Sequence, residues 1–96
     1  MLDPRTQAWL DDMVFYSGGN AYGYPQLKEA VSWSGEWSDR YRRNFDHVLA
    51  ERKLTALEYE NRAEVSFDTD AELYEELSKL YLYLFQDGPY PDGPDF

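Results

Sequence analysis

The 96-residue chain contains no cysteine, which excludes disulfide scaffolds, cysteine zinc sites, iron–sulfur clusters and thiol catalysis. It has a single histidine, His47, placed between Arg43 and Glu51 with no Ser/His/Asp arrangement around it. The expected role of His47 is therefore structural, solvated or half-buried, rather than catalytic. Basic residues are scarce: nine Lys and Arg face nineteen Asp and Glu, for a formal charge of -10 at pH 7. Such a balance argues against direct binding to DNA, RNA or anionic lipid, whose phosphates would be repelled. Long apolar runs are missing too. The longest, 80–85, holds six residues, whereas a membrane helix needs about 20. The opening Met1-Leu2-Asp3-Pro4-Arg5 lacks the basic and then apolar pattern of a signal peptide, so the expected location is cytoplasmic.

Aromatic residues are abundant at 18%, with three Trp, nine Tyr and five Phe. A disordered acidic tail lacks such residues, and here they supply core-forming side chains that can offset the entropy of ordering. The length suits one domain near the lower end of what folds alone.

Asp3 followed by Pro4 reads as an N-cap with proline at the first helical position. Trp9, Met13 and Tyr16 then recur at helical spacing, with Leu10 and Val14 alongside, predicting a helix from about 4 to 16. Residues 17–24 hold three glycines and an asparagine, which is turn chemistry. Pro25 can open a short helix carrying Leu27, Ala30 and Val31, stopped by 32–35. From Glu36 the signal is clean: Trp37, Tyr41, Phe45, Val48, Leu49 and Arg52 share a face. Glu36 with Arg40, Asp39 with Arg43 and His47 with Glu51 form i, i+4 pairs on the others.

Thr55 and Glu58 fit a capping box, with Leu54 before the cap able to staple against Tyr59, predicting a helix to about Glu64 or Phe67. Thr69 and Glu72 fit a second box. It opens a helix whose buried line is Leu73, Leu77, Leu80 and Leu84, widened by Tyr74, Tyr81 and Phe85. Gly88 fits the residue just past that helix, and Pro89 prevents continuation. Leucine and aromatic residues alternate over 80–85, as in a strand, but this segment continues a capped helical pattern and is read as helix. The expected fold is an all-α bundle of four or five short helices over 1–86, followed by an extended, acidic, Pro/Gly-rich tail over 87–96. That tail, with Asp-Gly-Pro twice, is either loose or lies along the domain or a partner, with Tyr90 and Phe96 as anchors.

The acid is unevenly placed. Residues 54–86 carry eight acidic groups against Arg62 and Lys79, and 87–96 carry Asp87, Asp92 and Asp95 with no base, so nine of the ten net charges lie after residue 53. Glu60 with Glu64 and Glu72 with Glu76 are like-charge i, i+4 pairs, each repelling by a few tenths of a kcal/mol. A solubilising face explains them blandly. A docking face for a basic partner explains them better, because Tyr59, Tyr74, Tyr83 and Tyr90 are interleaved with the acids and Tyr brings contact area at low entropy cost.

Other motifs fall short of the chemistry they resemble. Asp68-Thr69-Asp70 begins like a calcium loop, but Leu73 stands where glycine is needed and Lys79 where glutamate is needed. Gly18, Gly19 and Gly23 match neither a P-loop nor a dinucleotide fingerprint. Glu36 and Asp39 neutralise the cluster Arg40, Arg42 and Arg43. Paired carboxylates could run glycoside chemistry, yet a small helical bundle offers no evident cleft. No enzyme activity, cofactor or metal is expected.

Lys53-Leu54-Thr55-Ala56-Leu57-Glu58-Tyr59 resembles the Ser/Thr-Ala-x-Glu-aromatic phrase that opens a helix in the colicin D immunity protein family. Leu77-Ser78-Lys79-Leu80-Tyr81, with Phe85 and Asp87 beyond it, is similar to that family's later Leu-x-x-Leu-aromatic helix running into an Asp/Pro stretch. The resemblance spans 53–92. It implies a small, acidic, helical, non-enzymatic inhibitor that plugs the basic active site of a toxin nuclease, its carboxylates standing where substrate phosphates would lie. The candidate contacts are then Glu58, Glu60, Glu64, Asp68, Asp70, Glu72, Glu75 and Glu76, with Tyr59 and Tyr74. Two other expectations remain open: a phage-type nucleic-acid mimic acting on a host defence or DNA-binding protein, and a small adaptor or structural subunit oligomerising through its aromatics. The free chain is expected to be a monomer or a dimer.

Overall fold

The computed structural model describes residues 2–33 and 35–91 and shows an all-α chain. Five helices follow one another: α1 (Pro4–Ser17), α2 (Tyr24–Ser32), α3 (Glu36–Glu51), α4 (Ala56–Ala63) and α5 (Asp70–Phe85). One turn of 3-10 helix, Ala21–Gly23, leads into α2. No strand occurs among the described residues, so 80–85 is helical.

Local chemistry sets most boundaries. The Asp3 carboxylate accepts the Arg5 and Thr6 N–H groups at 3.1 and 3.0 Å, satisfying donors that the start of α1 leaves without helical partners. The same Oδ1 lies 3.0 Å from Nε2 of His47, and Arg5 reaches Asn44 Oδ1 and the Arg43 carbonyl. The histidine thus ties the first cap to α3, across the bundle rather than along its own helix. These contacts hold the Asp3 carboxyl at about 2, the Thr6 N–H contributing most and the His47 ring adding to it.

At α4 the Thr55 hydroxyl accepts the Glu58 N–H at 3.1 Å, and the Glu58 carboxylate accepts the Thr55 N–H at 3.0 Å, a complete capping box. The second expected box is only half formed. Thr69 Oγ1 accepts the Glu72 N–H at 3.1 Å, but the Glu72 carboxylate accepts from the Asp68 N–H one residue earlier, at 3.2 Å. At the far end of α5 the left-handed residue is Asp87 (φ 54°), not Gly88. Gly88 instead donates its N–H to the Leu82 carbonyl at 2.8 Å, close enough that a Cβ there would press on the Leu82 side chain.

α1 packs on α2, α3 and α4, while α5 closes the other side against α2 and α3. The core draws on every helix: Trp9, Leu10 and Met13 from α1, Leu27 from α2, Tyr41, Phe45 and Val48 from α3, Tyr59 from α4, and Leu73, Leu77, Leu80 and Leu84 from α5. Its aromatic part is continuous. Trp37 stacks on Tyr41 at 5.2 Å, Trp9 meets Phe45 at 5.0 Å, and Phe45 meets Tyr81 edge-on at 5.3 Å. Offset and edge-on pairs of this kind are worth about 0.5–1.5 kcal/mol each beyond the area they bury.

The loop after α1 is held by a chain of hydrogen bonds. The Ser17 hydroxyl donates to the Met13 carbonyl at 2.7 Å, and the Gly19 N–H donates to Ser17 Oγ at 3.0 Å. Gly19 has φ +78°, and a Cβ there would overlap the Cβ of Ala63, so only glycine fits where the loop crosses α4.

Residues 87–91 turn back along the helices. The Tyr90 ring meets those of Tyr83 and Tyr24 at 5.3 and 6.3 Å, Lys28 Nζ lies 4.4 Å over the Tyr83 ring, and Pro91 is buried. Phe96 and the second Asp-Gly-Pro lie outside the described residues.

Candidate functional site

The ten candidate residues separate by what each already touches. Tyr59 and Tyr74 are core side chains, which corrects their assignment to a docking patch. The Tyr59 hydroxyl donates to the Gly19 carbonyl at 2.5 Å, and that of Tyr74 to the Leu54 carbonyl at 2.6 Å. Burial pushes the Tyr59 phenol well above its ordinary range and the Tyr74 phenol up to about 12, so both remain neutral donors. Neither offers contact area to a partner.

Glu58 is committed to its capping box, and Asp70 Oδ1 accepts the Ala56 N–H at 2.7 Å, linking the start of α5 to the start of α4. These two carboxylates hold helix ends in place. Glu76 is 7% exposed, and its Oε2 accepts the Tyr24 hydroxyl at 3.1 Å. Its negative charge adds to the burial that already lifts the Tyr24 and Tyr59 phenols.

Five acids remain at the surface: Glu60, Glu64, Asp68, Glu72 and Glu75. Glu60 lies in the last turn of α4. Glu64 caps that helix in the left-handed region, φ 58°, a conformation that costs a residue with a Cβ about 1 kcal/mol or more. The other three converge. The connection 66–68 and the outer face of α5 enclose an open trough of about 570 Å³, lined by Ser66, Phe67, Asp68, Glu72, Glu75, Glu76 and Lys79.

Lys79 is the one cation among these lining residues, and it is drawn to Glu75 at 3.5 Å one helical turn away. The trough therefore keeps a net negative potential, and its half-enclosed walls focus the field that a cation meets on approach. The first turns of α5 set the spacing of Glu72, Glu75 and Glu76, while Asp68 comes from the connection before it. Residues three and four apart on a helix have Cβ atoms about 5–6 Å apart, so Glu72 and Glu75 stand side by side.

Sequence reasoning found four of the trough's lining residues and missed Ser66, Phe67 and Lys79. A spacing signal existed for Lys79, which lies four residues after Glu75 and seven after Glu72. None existed for Ser66 and Phe67, which reach the trough through the fold of the α4–α5 connection.

Aromatic side chains form a separate exposed region. Phe15 and Trp33 are 79% and 68% exposed, and Tyr16, Trp33 and Trp37 border a shallow groove of about 300 Å³. Among the described residues no cluster of three or more His, Asp or Glu is arranged to hold a metal ion, and no helix is long and apolar enough to cross a membrane. No family model, curated protein or solved structure matches the chain.

Proposed function

We propose that this chain is a non-enzymatic inhibitor that binds a basic protein, acting as an immunity protein or antitoxin that neutralises a nuclease toxin by occupying its nucleic-acid-binding surface. The observation that carries this reading is the trough on α5. It gathers Asp68, Glu72 and Glu75 at the surface with the Glu76 carboxyl behind them, and its single cation is drawn to one of them. It is also the function that the resemblance of 53–92 to the colicin D immunity protein family would imply.

The mechanism is electrostatic approach followed by contact. A face of one sign steers an oppositely charged partner and can raise the association rate about 100-fold or more at low salt over that of an uncharged pair. Carboxylates on one helical face then occupy positions that phosphates take on the nuclease, and substrate is excluded by occupancy alone.

The test uses Asp68→Asn, Glu72→Gln and Glu75→Gln together, which remove three charges and keep hydrogen-bonding side chains at the start of α5. The chain is co-expressed with the product of the neighbouring reading frame and passed over a sizing column at low and high salt. A complex that forms at low salt, weakens at high salt and is lost in the triple variant supports the reading. A complex indifferent to both overturns it.

A second reading, an adaptor or structural subunit, is favoured by one observation, the exposure of Phe15 and Trp33 beside the Tyr16–Trp37 groove. It is distinguished by salt: self-association through aromatics persists at high ionic strength, whereas steered binding fades.

A further inference from the structure

We propose that the trough continues into an apolar anchor site, and that the partner engages both with one helical segment carrying an apolar side chain followed at i+7 and i+10 by Lys or Arg. This inference rests on the reading of the acidic face given above. It starts from a stripe on α5. Glu72, Glu75, Lys79 and Leu82 recur at spacings of three and four, all exposed, away from the buried line of Leu73, Leu77, Leu80 and Leu84. A stripe with that repeat is the face a second helix packs against.

The stripe changes character along its length. Its early part borders the acidic trough. Its later part borders a second groove of about 380 Å³, lined by Lys79, Leu82, Pro89, Tyr90 and Pro91. Lys79 is common to both grooves. The second groove exists because residues 87–91 fold back over α5. Gly88 binds the Leu82 carbonyl and Tyr90 rests on Tyr83, which raises a wall of two prolines and a ring beside Leu82. Leu82 and Tyr90 each remain 44% exposed.

Helical rise converts the stripe into a register. At about 1.5 Å per residue, Leu82 lies about 10 Å along the axis from Glu75 and about 15 Å from Glu72. An antiparallel helix seated on the stripe therefore places a Leu, Ile or Phe over Leu82 and Tyr90, and cations seven and ten residues later over Glu75 and Glu72. The turn between them faces Lys79 and carries no cation. Charge complementarity selects the basic end, and the apolar groove selects the other, so the occupant has a direction as well as a composition.

The probes are three fluorescein-labelled, helix-favouring 18-residue peptides. The first carries Leu with Arg at i+7 and i+10. The second replaces the Leu with Ala. The third keeps the composition and moves both Arg to i+5 and i+9. Anisotropy titrations run at 50 and 200 mM NaCl against the intact chain, its Leu82→Ala variant and the triple neutral variant, with circular dichroism confirming that each variant is folded.

The expected result is that the first peptide binds at least fivefold more tightly than the other two, and that Leu82→Ala removes its advantage over the Ala peptide at both salts. If all three peptides bind alike and weaken together in the triple neutral variant, the anchor and register are overturned while the acidic-face reading stands. If the triple neutral variant binds the peptides as well as the intact chain does, the acidic-face reading falls and this inference with it.

Discussion

Replacing Tyr59 by Phe separates a structural tyrosine from a contact tyrosine. The side chain is 1% exposed, and its hydroxyl donates to the Gly19 carbonyl at 2.5 Å, bridging α4 to the loop that follows α1. Phe keeps the ring and removes only the donor. A typical hydrogen bond contributes about 0.5–1.5 kcal/mol net, and a buried acceptor left without its partner costs about 1–3 kcal/mol. Because Gly19 is itself buried, the expected loss falls in the second range, about 2 kcal/mol. In a domain of this size 1 kcal/mol moves the melting temperature by roughly 4–8 °C, so Tyr59→Phe should lower Tm by about 8–16 °C. Far-UV circular dichroism followed through heat and urea checks this, with the urea slope m unchanged and only the midpoint shifted. A Tm within about 2 °C of the parent would refute the placement of Tyr59. If the complex with a basic partner weakened at the same time, Tyr59 would return to the surface as a contact residue.

Three further outcomes follow from the caps and the loop. Gly19→Ala should destabilise by about 2 kcal/mol or more, since it meets both the cost of a left-handed φ and the Cβ of Ala63; urea midpoints read it, and a neutral result would contradict the described loop. Thr55→Ala removes half of the α4 capping box and should cost about 1 kcal/mol in the same assay. The Asp3 carboxyl titrates at about 2 when folded against 3.8 ordinarily, so its contribution is present above about pH 4 and is lost as pH falls towards 2. Asp3→Asn should therefore lose stability at pH 6 and show a shallower decline between pH 4 and 2 than the parent.

Much of the fold is legible in local signals, because caps and spacing are local physics. Asp3-Pro4, the Trp37 to Leu49 face, the Thr55–Glu58 box and the Leu73 to Leu84 line each place a helix, Pro25 opens the short one, and an all-α bundle of four or five helices follows from them; the structure has five. The candidate site was less legible, for two reasons that differ residue by residue. Some evidence was present but competed with the charge count. Tyr59 occupies the staple position after Leu54 and so points inward, and Glu76 stands three residues after Leu73 and four before Leu80, on the flank of the buried line. The remaining information is long-range. Tyr24 meets Glu76 across 52 positions, Tyr59 meets Gly19 across 40, and Asp70 caps α4 across 14. No local window contains both members of such a pair. The capping misassignment at Gly88 is a smaller instance: glycine is the commonest left-handed residue after a helix, yet here it is used for close approach to Leu82, and Asp87 takes the left-handed turn.

If the α5 trough steers a basic partner, association must slow as salt screens the trough's charge. The most direct measurement is the association rate constant of the intact chain and of its Asp68→Asn, Glu72→Gln, Glu75→Gln variant with the co-purified partner, by stopped flow from 10 to 500 mM NaCl. Over that range the screening length falls from about 30 Å to a few ångströms. Steering by the trough predicts a steep decline for the intact chain, a shallower one for the variant, and convergence of the two at high salt. Parallel lines with equal slopes would contradict it, placing the steering charge somewhere other than the trough.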